Sequence, residues 1–146
     1  MNGLISNSFI IWANNGIKYL ILRLFNDNMR VLIFGASTNP DRYAFKALSL
    51  LKEKGHEVFL KGNKAGIALG FTIQVGTNDF DHIHTVTLYV GPQNQQNLLE
   101  DLSQIKPERI IFNPGTENPK LYAAIEKLNI EVEEACTLVL LQTNQF

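Results

Sequence analysis

The chain has 146 residues, of which 45% are hydrophobic and 18% are charged, and its formal net charge at pH 7 is -1. This length and composition predict one domain with one hydrophobic core, and the near-neutral charge argues against a nucleic-acid-binding protein, which needs a basic surface. The single cysteine, Cys136, excludes an intrachain disulfide framework and fits a reducing cytoplasm, and no group of Cys and His residues has the spacing of a structural zinc site.

The first 28 residues differ in character from the rest of the chain. Residues 9–25 are largely apolar, but polar and charged residues such as Lys18 and Arg23 interrupt them, so we do not predict a membrane-spanning helix. The positive charges come too late for a signal peptide. Two interpretations remain: an amphipathic helix packed on the domain, or an extension from an upstream start codon. We favour the extension, because residues 29–146 read as one complete domain.

From residue 29 onward, predicted strands and helices alternate. Residues 71–75 alternate polar and apolar side chains, as a short edge strand does. The alternation of strands and helices predicts an α/β fold, a three-layer Rossmann-like domain with a five-stranded, mostly parallel sheet in the order 3-2-1-4-5. The predicted strands are residues 31–34, 56–61, 85–90, 109–112 and 130–133, and the predicted helices are residues 43–54, 93–105, 119–128 and a short closing helix at 137–141.

The loops that follow the predicted strands carry many of the small and polar residues. Residues 29–40, an apolar strand running into a small-residue loop, are typical of the opening of a nucleotide-binding α/β unit. In an open parallel sheet the loops at the carboxyl ends share one edge, where ligands bind. We therefore predict a ligand groove there, although glycines also end strands and turns for structural reasons. These loops are residues 35–40, 62–64, 91–92, 113–117 and 135–137, and four of the five contain glycine.

The first loop is not the glycine-rich fingerprint of NAD-binding domains. Gly35 is the only one of the three glycines present, and Lys61 stands where an acidic residue would hold the ribose. Lys61 and Lys64 favour a ligand with an extra ribose phosphate, such as NADP, although exposure on the surface is the ordinary fate of lysine. Arg42 lies at the start of the first predicted helix, where a cation is unfavourable beside the helix dipole. This suggests a bound anion nearby, although Asp41 could also compensate the charge locally.

The sequence contains no recognisable set of catalytic residues. There is no phosphate-binding G-x-x-x-x-G-K motif and no G-x-S-x-G nucleophile elbow. His82 and His84 could face the same side of a strand, but no third ligand accompanies them, so no metal site is predicted. Glu117 is the best-placed acid, and it could equally serve the start of a helix. We predict a binding protein without evident catalysis, with an NADP-dependent reductase using the same edge as the alternative.

Cys136 follows the last predicted strand and lies on the same edge as the loops. A free cysteine that is buried usually acts as a small hydrophobic residue. A thiol at this edge could also form a mixed disulfide with a thiol-bearing cofactor under oxidation. Both interpretations remain open from the sequence.

Three segments of the chain resemble the small bacterial CoA-binding domain family, whose Rossmann fold also occurs in the alpha subunit of succinyl-CoA synthetase. The segments are residues 35–40 with Arg42, residues 113–118 and residues 134–138, and the likeness extends over residues 29–146. The resemblance implies that the ligand is CoA or an acyl-CoA. It does not imply the ligase reaction, which needs a further domain with a phosphorylatable histidine.

The resemblance also implies which residues meet the ligand. Family members often carry more basic residues in the second loop, so the attraction for phosphate there is expected to be weaker in this chain. The predicted CoA contacts are Gly35 and Ala36 in the first loop, Ser37, Asn39 and Arg42 at the phosphates, Asn63 and Lys64 near the adenosine, Val90 and Pro92 beside the groove, Asn113 and Gly115 along the pantetheine arm, and Cys136 at the thiol end.

Overall fold

The computed structural model describes residues 28–146. The predictions of an N-terminal extension and of no membrane-spanning helix at residues 9–25 concern residues outside this description. Within residues 28–146, no helix has the length and apolar character needed to cross a membrane. The strands are β1 (Arg30–Phe34), β2 (Glu57–Lys61), β3 (Gly66–Ala68), β4 (Phe71–Gln74), β5 (Thr85–Leu88), β6 (Arg109–Phe112) and β7 (Glu131–Glu134). The helices are α1 (Tyr43–Glu53), α2 (Leu98–Ile105), α3 (Pro119–Glu126) and α4 (Thr137–Gln142), and a 3-10 turn occupies Pro92–Asn94.

All seven of these strands form a single sheet in the order β3-β4-β2-β1-β5-β6-β7. Every neighbouring pair is parallel except β3 and β4, which form an antiparallel hairpin at one edge. The prediction of a Rossmann-like α/β fold is confirmed. The prediction of five strands in the order 3-2-1-4-5 is wrong: residues 66–74 contribute two further strands beyond β2, and the third predicted strand, at residues 85–90, pairs with β1 instead of lying outside β2.

The central strands are apolar along most of their length because both faces of the sheet are covered. Side chains that point to opposite faces, such as Leu32 and Ile33 in β1, are both 0% exposed. On one face, α1 and α4 pack through Leu51 and Leu141, and on the other face α2 and α3 pack through Leu102 and Ile125. Two separate hydrophobic layers therefore enclose the sheet.

The point at which the fold changes direction lies between β1 and β5. The helix that follows β1 packs on one face of the sheet, whereas the helix that follows β5 packs on the other face. Because β1 and β5 are neighbours, the loops that leave their carboxyl ends diverge and leave a crevice between them. This crevice is the ordinary ligand position in open parallel sheets.

The boundaries of the helices mostly agree with the sequence pattern. Helix α1 buries Ala44, Ala47 and Leu48 on one side, and the chain leaves it through Gly55, whose φ is +83°. Helix α3 begins at Pro119, as expected for proline in a first turn. The helix predicted at residues 93–105 begins only at Leu98, because the 3-10 turn occupies the chain before it.

The last strand, β7, forms the other edge of the sheet and is rich in carboxylates. Its four residues include Glu131, Glu133 and Glu134, and only Val132 packs against the core. Glu133 pairs with Arg109 of the neighbouring strand, with 3.2 Å between Arg109 Nη1 and Glu133 Oε2. The edge strand thus carries more negative charge than its neighbour neutralises.

Candidate functional site at the carboxyl edge of the sheet

Gly35 lies at the crevice and brings the loop after β1 into contact with the end of β5. Its φ is +100°, and a Cβ at this position would lie 2.9 Å from the carbonyl carbon of Tyr89 and 2.9 Å from Cγ2 of Val90. The amides of Gly35 and Ala36 both donate to the Lys61 carbonyl, each across 2.9 Å. The packing of the protein itself therefore requires glycine at this position.

The loop after β1 also packs on the loop after β2. A Cβ at Gly62 would lie 2.8 Å from the Ala36 carbonyl oxygen, and a Cβ at Gly66 would lie 2.7 Å from Cγ2 of Thr38. Asn63 and Lys64 follow Gly62 and are exposed. The structure thus brings the residues predicted near adenosine beside the residues predicted near the phosphates.

The start of α1 has the features of an anion-binding position. No side chain caps the helix, and no acidic residue lies in its first turn. Phe45 and Lys46 donate their amides to the Arg42 carbonyl, which leaves the amides of Tyr43 and Ala44 without an acceptor among residues 28–146. These amides and the exposed guanidinium of Arg42 offer positive charge in one place.

Two polar side chains shape the loop that leads into this helix. Ser37 Oγ accepts the Asn39 amide across 3.1 Å, and Asn39 Oδ1 accepts the Asp41 amide across 3.0 Å. In both side chains the bond engages an acceptor oxygen. The Ser37 hydroxyl proton and the Asn39 Nδ2 group therefore remain available as donors to a phosphate.

The interpretation of Lys61 as a cation that attracts a ligand phosphate stays a prediction, and its ammonium group already has partners in the protein. Lys61 Nζ donates to the Thr77 carbonyl and to Asn78 Oδ1, each across 2.7 Å. It also lies 5.3 Å from the centre of the Phe34 ring. These bonds tie Lys61 to the loop before β5, whereas the exposed Lys64 side chain has no hydrogen-bond partner among residues 28–146.

Gln95 joins the loop after β5 to the loop after β6. Its side chain is buried, with the residue 4% exposed. Nε2 donates to the Val90 carbonyl across 2.8 Å and to the Thr116 carbonyl across 2.7 Å, while Oε1 accepts Nδ2 of Asn118 across 3.0 Å. Gln95 is not among the residues predicted from the sequence, because a glutamine within a run of Gln and Asn residues is typical of a solvent-exposed turn.

Asn113 holds the ends of β5 and β6 against the start of α4. Its Nδ2 donates to Thr87 Oγ1 across 2.7 Å and to the Leu88 carbonyl across 2.9 Å. Its Oδ1 accepts the Thr137 amide across 2.9 Å, and the residue is 3% exposed. The predicted contact of Asn113 with a pantetheine arm stays a prediction, and the side chain already has protein partners at both ends.

The loop after β6 is closed by its own acidic residue. Gly115, with φ at +90°, donates its amide to Glu117 Oε2 across 2.8 Å. Nearby, the Tyr122 hydroxyl donates to Glu134 Oε1 across 2.6 Å. Burial, followed by this bond to a carboxylate, raises the pKa of Tyr122 to about 12.

Cys136 is half-buried and immediately precedes α4. Close to it, the Tyr89 hydroxyl is buried and makes no hydrogen bond of normal geometry to residues 28–146, and the neighbouring Thr87 and Thr137 hydroxyls pair with each other across 2.8 Å. Burial raises the pKa of Tyr89 to about 12. The formation of a mixed disulfide at Cys136 stays a prediction.

Other polar and apolar features lie away from this edge. His84 follows the loop that enters β5 at the opposite edge, where Nδ1 lies 2.8 Å from Thr85 Oγ1 and Nε2 lies 3.2 Å from Glu108 Oε2. Among the described residues, no group of three His, Cys, Asp or Glu side chains could hold a metal ion. A shallow groove between β2 and β4, lined by Phe59 and Phe80, lies on the face of the sheet.

The fold and the loops define an α/β domain of the Rossmann-like class, with a helix start that no side chain caps at the crevice between its central strands. A family model described as a CoA binding domain matches residues 29–142. The chain belongs to this family, and the resemblance inferred from the sequence is confirmed.

Solved structures share the fold. A protein described only as uncharacterized is 41% identical, with a TM-score of 0.78 and coverage of 82% of this chain and 98% of that one. A Thermus thermophilus protein is 17% identical, with a TM-score of 0.73 and coverage of 88% and 98%. A dinucleotide-forming acetyl-coenzyme A synthetase from Ca. Korarchaeum cryptofilum, 16% identical with a TM-score of 0.62, matches over 76% of this chain and 26% of that one. No curated protein matches this chain.

Proposed function

We propose that this protein binds CoA or an acyl-CoA along the carboxyl edge of its sheet, without evident catalysis. Family membership supports CoA as the ligand. The start of α1, with its unpaired amides and Arg42, supports the position of the phosphates.

The order of the loops along the edge carries the proposal. From β2 to β7 the neighbouring strands are β2, β1, β5, β6 and β7. Their loops hold, in the same order, the residues predicted at the adenosine, the phosphates, the groove walls, the pantetheine arm and the thiol. Neighbouring strands lie 4.7–4.9 Å apart, so the five strand ends extend over about 19 Å. A long, linear ligand suits such an edge better than a compact one.

The proposed path begins near Asn63 and Lys64 and passes the phosphate loop. There Ser37, Asn39 and Arg42 supply donors, while Gly35 and Ala36 present backbone. A large and flexible arm then passes between the first loop and the loops after β5 and β6. The arm's proposed neighbours are Val90, Pro92, Gly115, the backbone of Asn113 and, at the thiol end, Cys136.

The hydrogen bonds of the acidic residues at the thiol end support a binding role without catalysis. Glu117 accepts the Gly115 amide, and Glu134 accepts the Tyr122 hydroxyl. One oxygen of each carboxylate therefore has a donor from the protein itself. These bonds give both residues a structural role in their loops, which fits a binding protein.

Calorimetric titration of the full chain with CoA, dephospho-CoA, NADP and NAD tests the proposal. We expect CoA to bind and dephospho-CoA, which lacks the 3′-phosphate, to bind more weakly. NADP carries a phosphate on the same ribose but no pantetheine arm, so we expect it to bind more weakly than CoA. A preference for NADP over CoA would support the reductase alternative and overturn the proposal.

A further inference from the structure

Gln95 is a buried polar residue whose side-chain bonds all go to two loops of the proposed site. Its Nε2 donates to the carbonyls of Val90 and Thr116, and its Oε1 accepts Nδ2 of Asn118. The strands that carry these loops are already joined by backbone pairing from Thr85–Arg109 to Leu88–Phe112. The backbone pairing stops at the strand ends, and beyond them the Gln95 side chain links the two loops through hydrogen bonds.

The bonds of Gln95 fix the distance between the two loops. Two donors on a single nitrogen reach carbonyls on different loops at 2.8 and 2.7 Å, so the loops cannot separate without breaking a hydrogen bond in a buried environment. The third bond adds Asn118, at the end of the loop after β6. No bond of the Gln95 side chain goes to residues 35–42, which form the proposed phosphate position.

We propose that Gln95 is a positioning residue that sets the width of the groove for the pantetheine arm and leaves the phosphate position unaffected. This inference rests on the proposed function. Gln95 selects for the arm by holding the Val90 and Thr116 loops at a fixed separation, so it controls the part of the affinity that distinguishes CoA from its nucleotide fragment.

The test compares CoA with adenosine 3′,5′-bisphosphate, a fragment that lacks the arm, by calorimetry on the full chain. Gln95→Met keeps the length and volume of the side chain but removes its donors and its acceptor. Gln95→Glu keeps an oxygen for Asn118 and removes the donors. Gln96→Met is the matched control, because Gln96 is exposed and, within the part of the chain that the structure describes, its side chain bonds only to the Gln93 carbonyl in its own turn.

We expect both Gln95 variants to bind CoA at least about tenfold more weakly and to bind the bisphosphate within about twofold of the unaltered protein. The control should bind both compounds normally. Unchanged CoA binding in a Gln95 variant, or an equal loss of CoA and bisphosphate binding, would overturn the inference. If the unaltered protein binds neither compound, the proposed function itself fails.

Hydrogen exchange on the unaltered protein tests the same inference without a variant. We expect CoA to slow exchange at the amides of Asn94, Gln95 and Thr116, which lie in the two loops, and we expect the bisphosphate not to do so. If CoA slows exchange only at the amides that the bisphosphate also protects, the arm does not lie between these loops and the inference is wrong.

Discussion

Asn113 donates through Nδ2 to the hydroxyl oxygen of Thr87 across 2.7 Å, at the point where two neighbouring strands of the sheet end. The same side chain accepts the amide of Thr137, which begins the last helix. One buried amide thus connects β5, β6 and α4 beneath the proposed groove. The loops that line the proposed groove therefore start from strand ends and a helix start that the Asn113 side chain joins.

The connection made by Asn113 predicts a large loss of stability when its side chain is removed. Asn113→Ala leaves the Leu88 carbonyl and the Thr137 amide without partners in a buried position, which should lower the free energy of unfolding by roughly 2–5 kcal/mol. Urea denaturation measures the loss. Asn97→Ala is the control, because Asn97 is exposed and makes no capping bond at α2. Equal stability of the two variants would contradict this account.

Because Gly35 lies so close to the end of β5, we expect even a methyl side chain at this position to destabilise the folded protein. Gly35→Ala combines a positive φ with a Cβ 2.9 Å from the Tyr89 backbone. We expect this substitution to lower the free energy of unfolding by roughly 2–5 kcal/mol. Gly70→Ala provides the comparison, because Gly70 has a φ of +85° but nothing within 4 Å of its Cβ position. The Gly70→Ala substitution should lower the free energy of unfolding by only about 1–2 kcal/mol. Thermal or urea unfolding of both variants gives the difference, and similar losses would show that packing at Gly35 is not tight.

The exposed guanidinium at the start of α1 predicts a loss of ligand affinity without a loss of stability. Arg42→Ala should weaken CoA binding by roughly 1–3 kcal/mol, because a charge-assisted hydrogen bond to a phosphate is lost. The unfolding curve should remain unchanged, since Arg42 has no side-chain partner among the described residues. Lys127→Ala removes one positive charge at the far end of α3 and serves as the control in the same titration. A dissociation constant that is the same for Arg42→Ala and the unaltered protein would place the phosphates elsewhere.

The buried hydroxyl of Tyr89 predicts a decline in stability at alkaline pH. Its pKa is raised by burial from 10.0 to about 12. Between these values the unfolded chain releases the proton while the folded protein retains it, so unfolding becomes easier as the pH rises. The contribution is complete below pH 10 and is lost towards pH 12, with a size of roughly 2–3 kcal/mol.

Urea denaturation at several pH values above 8 checks this decline by comparison with Tyr89→Phe, whose stability should fall less steeply. Tyr122 also has a pKa raised to about 12, but it titrates in both proteins and does not affect their difference. Tyr43→Phe is the control, because Tyr43 is 68% exposed. Parallel curves for Tyr89→Phe and the unaltered protein would contradict the prediction.

Much of the fold was predictable because the principal strands and helices follow the periodicity of apolar residues. Residues 66–68 escaped this reasoning, since a strand of three residues forms only when β4 supplies the partner. The site was less predictable. Lys61 finds its partners 16 and 17 residues further along the chain, and a sequence pattern does not show which side chains such a loop brings back. The burial of Gln95 has the same origin.

The acidic residues of β7 bear on how molecules of this protein meet in a crowded solution. An edge strand offers unpaired backbone groups to any other strand that approaches it. If two copies joined their sheets through β7, Glu131 of each copy would lie close to the β7 carboxylates of the other copy. Electrostatic repulsion would therefore oppose the pairing of β7 with the same strand of another copy.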